Sequence, residues 1–255
     1  MRRSSLGIAA AVVMTALLLT GCTTLDQIVG TESWKEWAPE QTSLQVYGDG
    51  VVAETIFDHL DQAWYTGDEL QDMIARSMNE YNAANGENSL NVTEYSDEGG
   101  DVMVRLVYRT AEDYARYNNV VFFSGSMLDA EMEGYLFSGP FSSVDDSGIK
   151  ESGLDASEPL SHKEYRVVIS DSGHVVQVPG VVRYISSNAE VVNSHVIKPA
   201  ASFAAAETES AAADTTGDPE TGEGMSDKET DQTYLYIIYE KDQEADLLPS
   251  EMQSE

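Results

Sequence analysis

The chain changes its hydrophobic rhythm several times, and each change predicts an element. Leu44 to Tyr47, then Gly48-Asp49-Gly50, then Val51 to Phe57 read as a hairpin with a glycine-rich turn. Beyond it, Leu70, Met73, Ile74, Met78 and Tyr81 recur at helical spacing and form one apolar stripe. Thr66 with Glu69 three residues later predicts a capping box at the start of that helix, and Asn85-Gly86 predicts its stop. A second hairpin is expected where Leu90 to Tyr95 leads through Asp97-Glu98-Gly99-Gly100-Asp101 into a return strand. There Val102, Val104, Leu106 and Tyr108 alternate with Met103 and Arg105. Thr110 with Asp113, and Ser126 with Asp129, cap two short helices, with a strand from Val120 to Phe123 between them.

Residues 43–141 thus read as ββα-ββα-β. Hairpins alternating with helices, without βαβ spacing, predict an α+β fold: antiparallel sheet with one main amphipathic helix and two short ones on one face. Residues 142–162 are rich in Ser and Asp and read as a polar loop. A β-rich part follows over 163–198. Tyr165 to Ile169 and Val175 to Val178 read as a hairpin, and Val181 to Ile185 and Val191 to Ile197 as further strands. Residues 199–232 differ in kind, with nine acidic residues between Glu207 and Asp231 and a single Lys. Such a stretch has too little apolar surface to offset its ordering entropy, so it reads as a disordered acidic insertion. Tyr234 to Tyr239 is the most β-prone run in the chain and must return to pair within 233–240, which makes the insertion a loop between two paired strands. Residues 241–255 are an acidic tail.

The first residues follow another pattern. Arg2 and Arg3 precede an apolar run from Leu6 to Leu19 that ends in Leu19-Thr20-Gly21-Cys22. Charge, run length, small residues and Cys fall in the order of a bacterial lipoprotein signal, which makes 1–21 a signal peptide cut between Gly21 and Cys22. The resemblance implies a diacylglyceryl group on Cys22, with 22–42 as the tether that follows it. Two or more acyl chains hold a protein stably on a bilayer, at about 0.8 kcal/mol per buried CH₂. The expected location is the extracytoplasmic face of a cell membrane. Trp34 and Trp37 lie in the tether, either at the bilayer interface or in a short helix packed on the domain.

Charge then removes whole classes of partner. The chain has 14 Lys+Arg against 45 Asp+Glu, a formal charge of -31, and Cys22 is its one cysteine. So acidic a chain is no nucleic-acid binder. Without a second cysteine no disulfide holds it, and stability rests on packing.

Several segments together resemble a group of uncharacterised bacterial lipoproteins, mostly from Clostridia. They are Thr55-Ile56-Phe57-Asp58, Trp64-Tyr65, Asp68-Glu69-Leu70, Glu80-Tyr81-Asn82, Ala111-Glu112-Asp113-Tyr114 with Tyr117-Asn118, Val178-Pro179-Gly180, Ser186-Ser187-Asn188-Ala189-Glu190-Val191 and Tyr236-Ile237-Ile238-Tyr239. The likeness implies an envelope lipoprotein and brings no activity, cofactor or catalytic residue with it.

Chemistry-bearing patterns are sparse. There is no phosphate-binding loop, dinucleotide fingerprint, zinc-protease helix or nucleophile elbow. His59, His162, His174 and His195 stand apart in sequence, without metal-ligand spacing. Asp58-His59 has the composition of a base and its orienter, but strand neighbours point to opposite faces. Ser124 and Ser126 flank Gly125 before a helix, where Ser126 serves as the cap. Asp97, Glu98 and Asp101 around two glycines offer oxygens to a weakly held cation, as do Asp145 and Asp146. Trp64-Tyr65, just ahead of the main helix, is the candidate exposed aromatic site. The role expected from all this is non-catalytic binding of an envelope protein or glycan, with no cofactor. An envelope enzyme with two facing carboxylates and a transporter's solute-binding component are the alternatives.

Overall fold

The computed structural model describes residues 39–48, 50–60, 66–201, 203 and 234–241. Cys22, Trp34, Trp37, Trp64, Tyr65, the bulk of the acidic insertion and the acidic tail lie outside them. No helix among the described residues is long and apolar enough to cross a membrane.

The fold is α+β, built on two sheets whose pairings are antiparallel except for one. The first sheet holds β1 (Ser43–Val46), β2 (Val52–His59), β3 (Leu90–Glu98), β4 (Asp101–Tyr108), β9 (Val175–Gln177), β11 (Ala189–Val191) and β12 (Val196–Pro199), in the order β11-β12-β9-β1-β2-β4-β3. Its parallel pair is β1 with β9. The second holds β5 (Phe122–Ser126), β6 (Phe141–Asp145), β7 (Gly148–Leu154), β8 (Arg166–Ser170), β10 (Gly180–Ser186) and β13 (Leu235–Lys241), in the order β5-β8-β13-β10-β6-β7. The two sequence parts, 43–141 and 163–198 with 233–240, are therefore not two structural units. Each sheet takes strands from both.

One apolar core lies between the sheets. Leu44, Val46, Val52, Val104 and Leu106 of the first meet Val168, Val182, Ile185, Leu235 and Ile237 of the second. The main helix, α1 (Gly67–Asn85), and α2 (Ala111–Asn118) join this layer. The capping box of α1 is present: Thr66 Oγ1 accepts from the Glu69 amide at 3.2 Å, and Glu69 Oε2 accepts from the Thr66 amide at 3.2 Å. Gly86 ends the helix at φ 109°, a conformation costly for any residue with a Cβ. Leu70, Ile74, Met78 and Tyr81 rest on the core, whereas Met73 is 48% exposed and falls outside the stripe. Tyr81 Oη donates to the Asp113 carbonyl at 3.1 Å and so ties α1 to α2.

A second core covers the other face of the second sheet. Phe123, Phe141, Val167, Ile169, Tyr184, Tyr236 and Ile238 pack there with Met127 and Ala130 of α3 (Met127–Met132). Helices thus cover different faces rather than one. Strand β13 runs between β8 and β10 with Leu235, Ile237 and Tyr239 in the first core and Tyr236 and Ile238 in the second. Burial on both faces is why this strand reads as a continuous apolar run rather than an alternation.

Four further expectations are corrected. Residues 142–162 are not a polar loop. They contain most of the β6–β7 hairpin and the short helix α4 (Ser157–Leu160). Strand β7 is exposed along almost its whole length, so no apolar periodicity marks it. Its Lys150 and Glu151 protect a sheet edge from further pairing. Strands β8 and β9 form no hairpin, because the chain crosses from one sheet to the other between them. Val191 to Ile197 is not one strand: Val191 ends β11, Val196 and Ile197 begin β12, and residues 192–195 turn between them. The acidic insertion links β12 of the first sheet to β13 of the second, so its flanking strands are not paired with each other.

Candidate functional site

The polar features singled out in the sequence are scattered rather than gathered into one site. In the acidic turn, Asp101 Oδ1 lies 2.7 Å from His59 Nδ1, in an exposed pair. Asp97 stands at the first turn of α1: a Cβ added to Gly67 would come within 1.9 Å of Asp97 Oδ2. A carboxylate suits that position because helix N-termini carry unpaired N–H groups and a positive dipole end. Glu98 is exposed. The three carboxylates are not brought together, and among the described residues no three His, Cys, Asp or Glu side chains converge to hold a metal. Asp145 closes its own turn, accepting from the Ser147 hydroxyl and, at 2.8 Å, from the Ser147 amide, and these bonds hold its carboxyl below the ordinary range. Asp58 accepts from the His59 amide at 2.7 Å, so the ring's carboxylate partner is Asp101 and not Asp58. Ser126 caps α3, accepting from the Asp129 amide at 3.0 Å.

Sequence reasoning missed a buried carboxyl. Glu54 of β2 is 4% exposed and lies on the core side of the first sheet, where Val52 and Ile56 also lie. Tyr108 Oη donates to Glu54 Oε2 at 2.7 Å, and Asn118 Nδ2 donates to the same phenol oxygen at 3.1 Å. His174 Nε2 stands 3.8 Å from Glu54 Oε1. Burial raises the Glu54 carboxyl, raises the Tyr108 phenol well above its ordinary range, and lowers the His174 imidazole. The composition is that of an acid–base site, but Glu54 sits closed within the core. Its period-two position between apolar neighbours was the available sequence signal.

The opposite face of the first sheet carries a second polar network. Arg105 donates to Thr55 Oγ1 at 2.8 Å, to Gln45 Oε1 at 2.6 Å and to Tyr47 Oη at 3.0 Å, while Gln45 Nε2 donates to Gln177 Oε1 at 2.7 Å. Four strands are joined side to side by these bonds, which is a positioning role.

Open space lies at the edge of the second sheet. Among the described residues, strand β5 ends the strand order and pairs with β8 alone. A groove of about 710 Å³ runs along it, within the size range of ligand sites. One wall is α2, with small Ala111 and Ala115 and the carboxylate of Glu112. The other is Glu133 and Tyr135, and Phe122, Phe123 and Ser124 of β5 line the space between. Gly50, in the β1–β2 turn, also borders it. Beyond that wall Leu128, Met132 and Leu136 are 55%, 77% and 80% exposed. Leu128 and Met132 stand one turn apart on α3, and Leu136 lies past the end of that helix.

Compared with known proteins, the chain matches no family model, no curated protein and no solved structure.

Proposed function

We propose that this chain is an extracytoplasmic lipoprotein, held on a membrane through acylated Cys22, whose folded body binds a polypeptide partner without catalysis. The observation that carries the binding reading is the groove along β5. There a strand edge that no other described residue pairs with, aromatic rings and two carboxylates, Glu112 and Glu133, meet in one accessible space. The leader and Leu19-Thr20-Gly21-Cys22 support the tether, as does the likeness to Clostridia-type lipoproteins. Removing the leader with Arg2 and Arg3 leaves 12 basic against 45 acidic residues, a body that anionic headgroups repel. The lipid is then the whole of the membrane attachment, and the groove is free to face a neighbouring envelope protein. Cell fractionation tests the tether. Wild type is expected in the membrane fraction with the mass of an acylated Cys22 terminus, and Cys22→Ala in the soluble fraction. A wild-type chain found soluble, with an unmodified thiol and its leader attached, overturns it.

A further inference from the structure

We infer that the β5 groove takes an extended, basic peptide segment of a partner protein as an added strand of the second sheet. The inference rests on the binding reading above and names the partner's chemistry. It begins from the ladder on the occupied side of β5. Asp171 N–H donates to the Val121 carbonyl at 3.1 Å, and Met127 N–H donates to the Tyr165 carbonyl at 3.3 Å. Antiparallel register pairs Phe122 with Ser170, Phe123 with Ile169, Ser124 with Val168 and Gly125 with Val167. Backbone groups alternate in direction along a strand, so Phe123 and Gly125 spend theirs on the β8 side, as do the Val121 carbonyl and the Met127 N–H. The N–H and C=O groups of Phe122 and Ser124 therefore point to the free edge. That edge borders the groove, since both residues line it.

Only another extended backbone matches such a row of donors and acceptors at strand spacing, which is the recognition mode of β-strand addition. The walls set the side-chain preference. An added strand would turn alternate side chains toward α2 and toward Tyr135. Each wall offers apolar surface and one carboxylate, Glu112 or Glu133. Glu112 already pairs with Arg116, which leaves Glu133 as the stronger attraction for a cation. A segment alternating apolar and Lys or Arg residues fits, and an acidic segment is repelled. The protein's own acidic insertion is excluded as occupant on the same ground.

The test uses the full chain in detergent micelles and three labelled peptides. One alternates Lys and Val, one alternates Glu and Val, and one is the Lys-Val sequence N-methylated at every residue, so that neither edge can donate. Saturable binding is expected for the first alone. Ser124→Pro removes one edge N–H without touching the β8 ladder, a place where proline is tolerated. Loss of that bond is expected to weaken binding about tenfold. Glu133→Gln is expected to weaken it with the ladder unchanged. If the methylated peptide binds as well as its parent, strand addition is wrong while groove binding stands. If no peptide binds saturably, both readings fall. If sedimentation shows a dimer that Ser124→Pro dissociates, a second copy of the chain fills the edge and the peptide inference is overturned.

Discussion

Strands β13 and β2 are both central to their sheets, yet they are stabilised in opposite ways. Strand β13 is apolar on both faces, and Leu235, Ile237 and Ile238 are fully buried with no polar side-chain atom to satisfy. Strand β2 places Glu54 inside the same core, where the Tyr108 hydroxyl, steadied by Asn118, donates to it and His174 stands 3.8 Å away. The first arrangement depends on volume and the second on hydrogen bonding. Apolar burial adds about 25 cal/mol per Å² and is insensitive to pH. A buried carboxyl makes local stability depend on the proton.

The largest effect should come from emptying space in β13. Ile237→Ala removes a side chain shared between both sheets, and unfolding stability should drop by about 2–5 kcal/mol in urea titration. A drop under ~1 kcal/mol would mean that the two sheets do not share a close-packed core. Glu54→Ala comes next. It strands the Tyr108 hydroxyl and should cost about 1–3 kcal/mol, with Glu54→Gln milder because an amide oxygen still accepts.

The pH response separates the two strands further. Burial raises the Glu54 carboxyl, so the folded protein keeps that proton in a range where the unfolded chain has lost it. The folded state then binds more protons, and the contribution of Glu54 to stability falls as pH rises from 4.5 through its folded value. His174 acts at the other end of the scale. Its folded value is lowered, so stability is lost as pH drops from 6.5 through that value. Glu54→Gln should therefore gain on wild type as pH rises above 4.5, measured as urea midpoints across the acidic to neutral range. Parallel midpoint curves for the two proteins would show that Glu54 titrates as freely as it does in the unfolded chain. Ile237→Ala should shift the whole curve without changing its shape.

The same contrast explains how much of the fold could be read beforehand. Thr66-Glu69, Thr110-Asp113 and Ser126-Asp129 mark helix starts through local chemistry, and all three caps form. Tyr234 to Tyr239 is legible because burial on both faces removes every polar residue from the run. Strand β7 was not legible, since Ile149-Lys150-Glu151-Ser152-Gly153 lies at an exposed edge where pairing comes from the backbone alone. The exchange of strands between sheets was equally hidden. Tyr165 to Val178 has the pattern of a hairpin, and only the core decides that β8 and β9 part. At the groove, the sequence showed Ser126 as a cap but not the free edge beside it, because edges belong to strand order. Glu54 is harder to read than its period-two neighbours Val52 and Ile56 suggest, because both faces of this run carry apolar residues and only strand register brings it to Tyr108.

The smallest effect is expected where neither strategy operates. The acidic insertion leaves the first sheet after β12 and rejoins the second at β13, and both ends meet at one residue. Ala200 N–H donates to the Asn188 carbonyl at 2.8 Å, and Asn188 Nδ2 donates to the Tyr234 carbonyl at 3.1 Å. The ends are therefore close, and a short Gly-Ser bridge in place of 204–231 should close the gap. Closure entropy changes by only about 0.6 kcal/mol per halving of length, so stability should hold or rise by about 1 kcal/mol. A loss beyond ~1 kcal/mol would mean that the replaced segment contributes contacts of its own. Asn188→Ala should be harmful in both backgrounds, because the clamp on Tyr234 starts β13 in register whatever the length of the chain that precedes it.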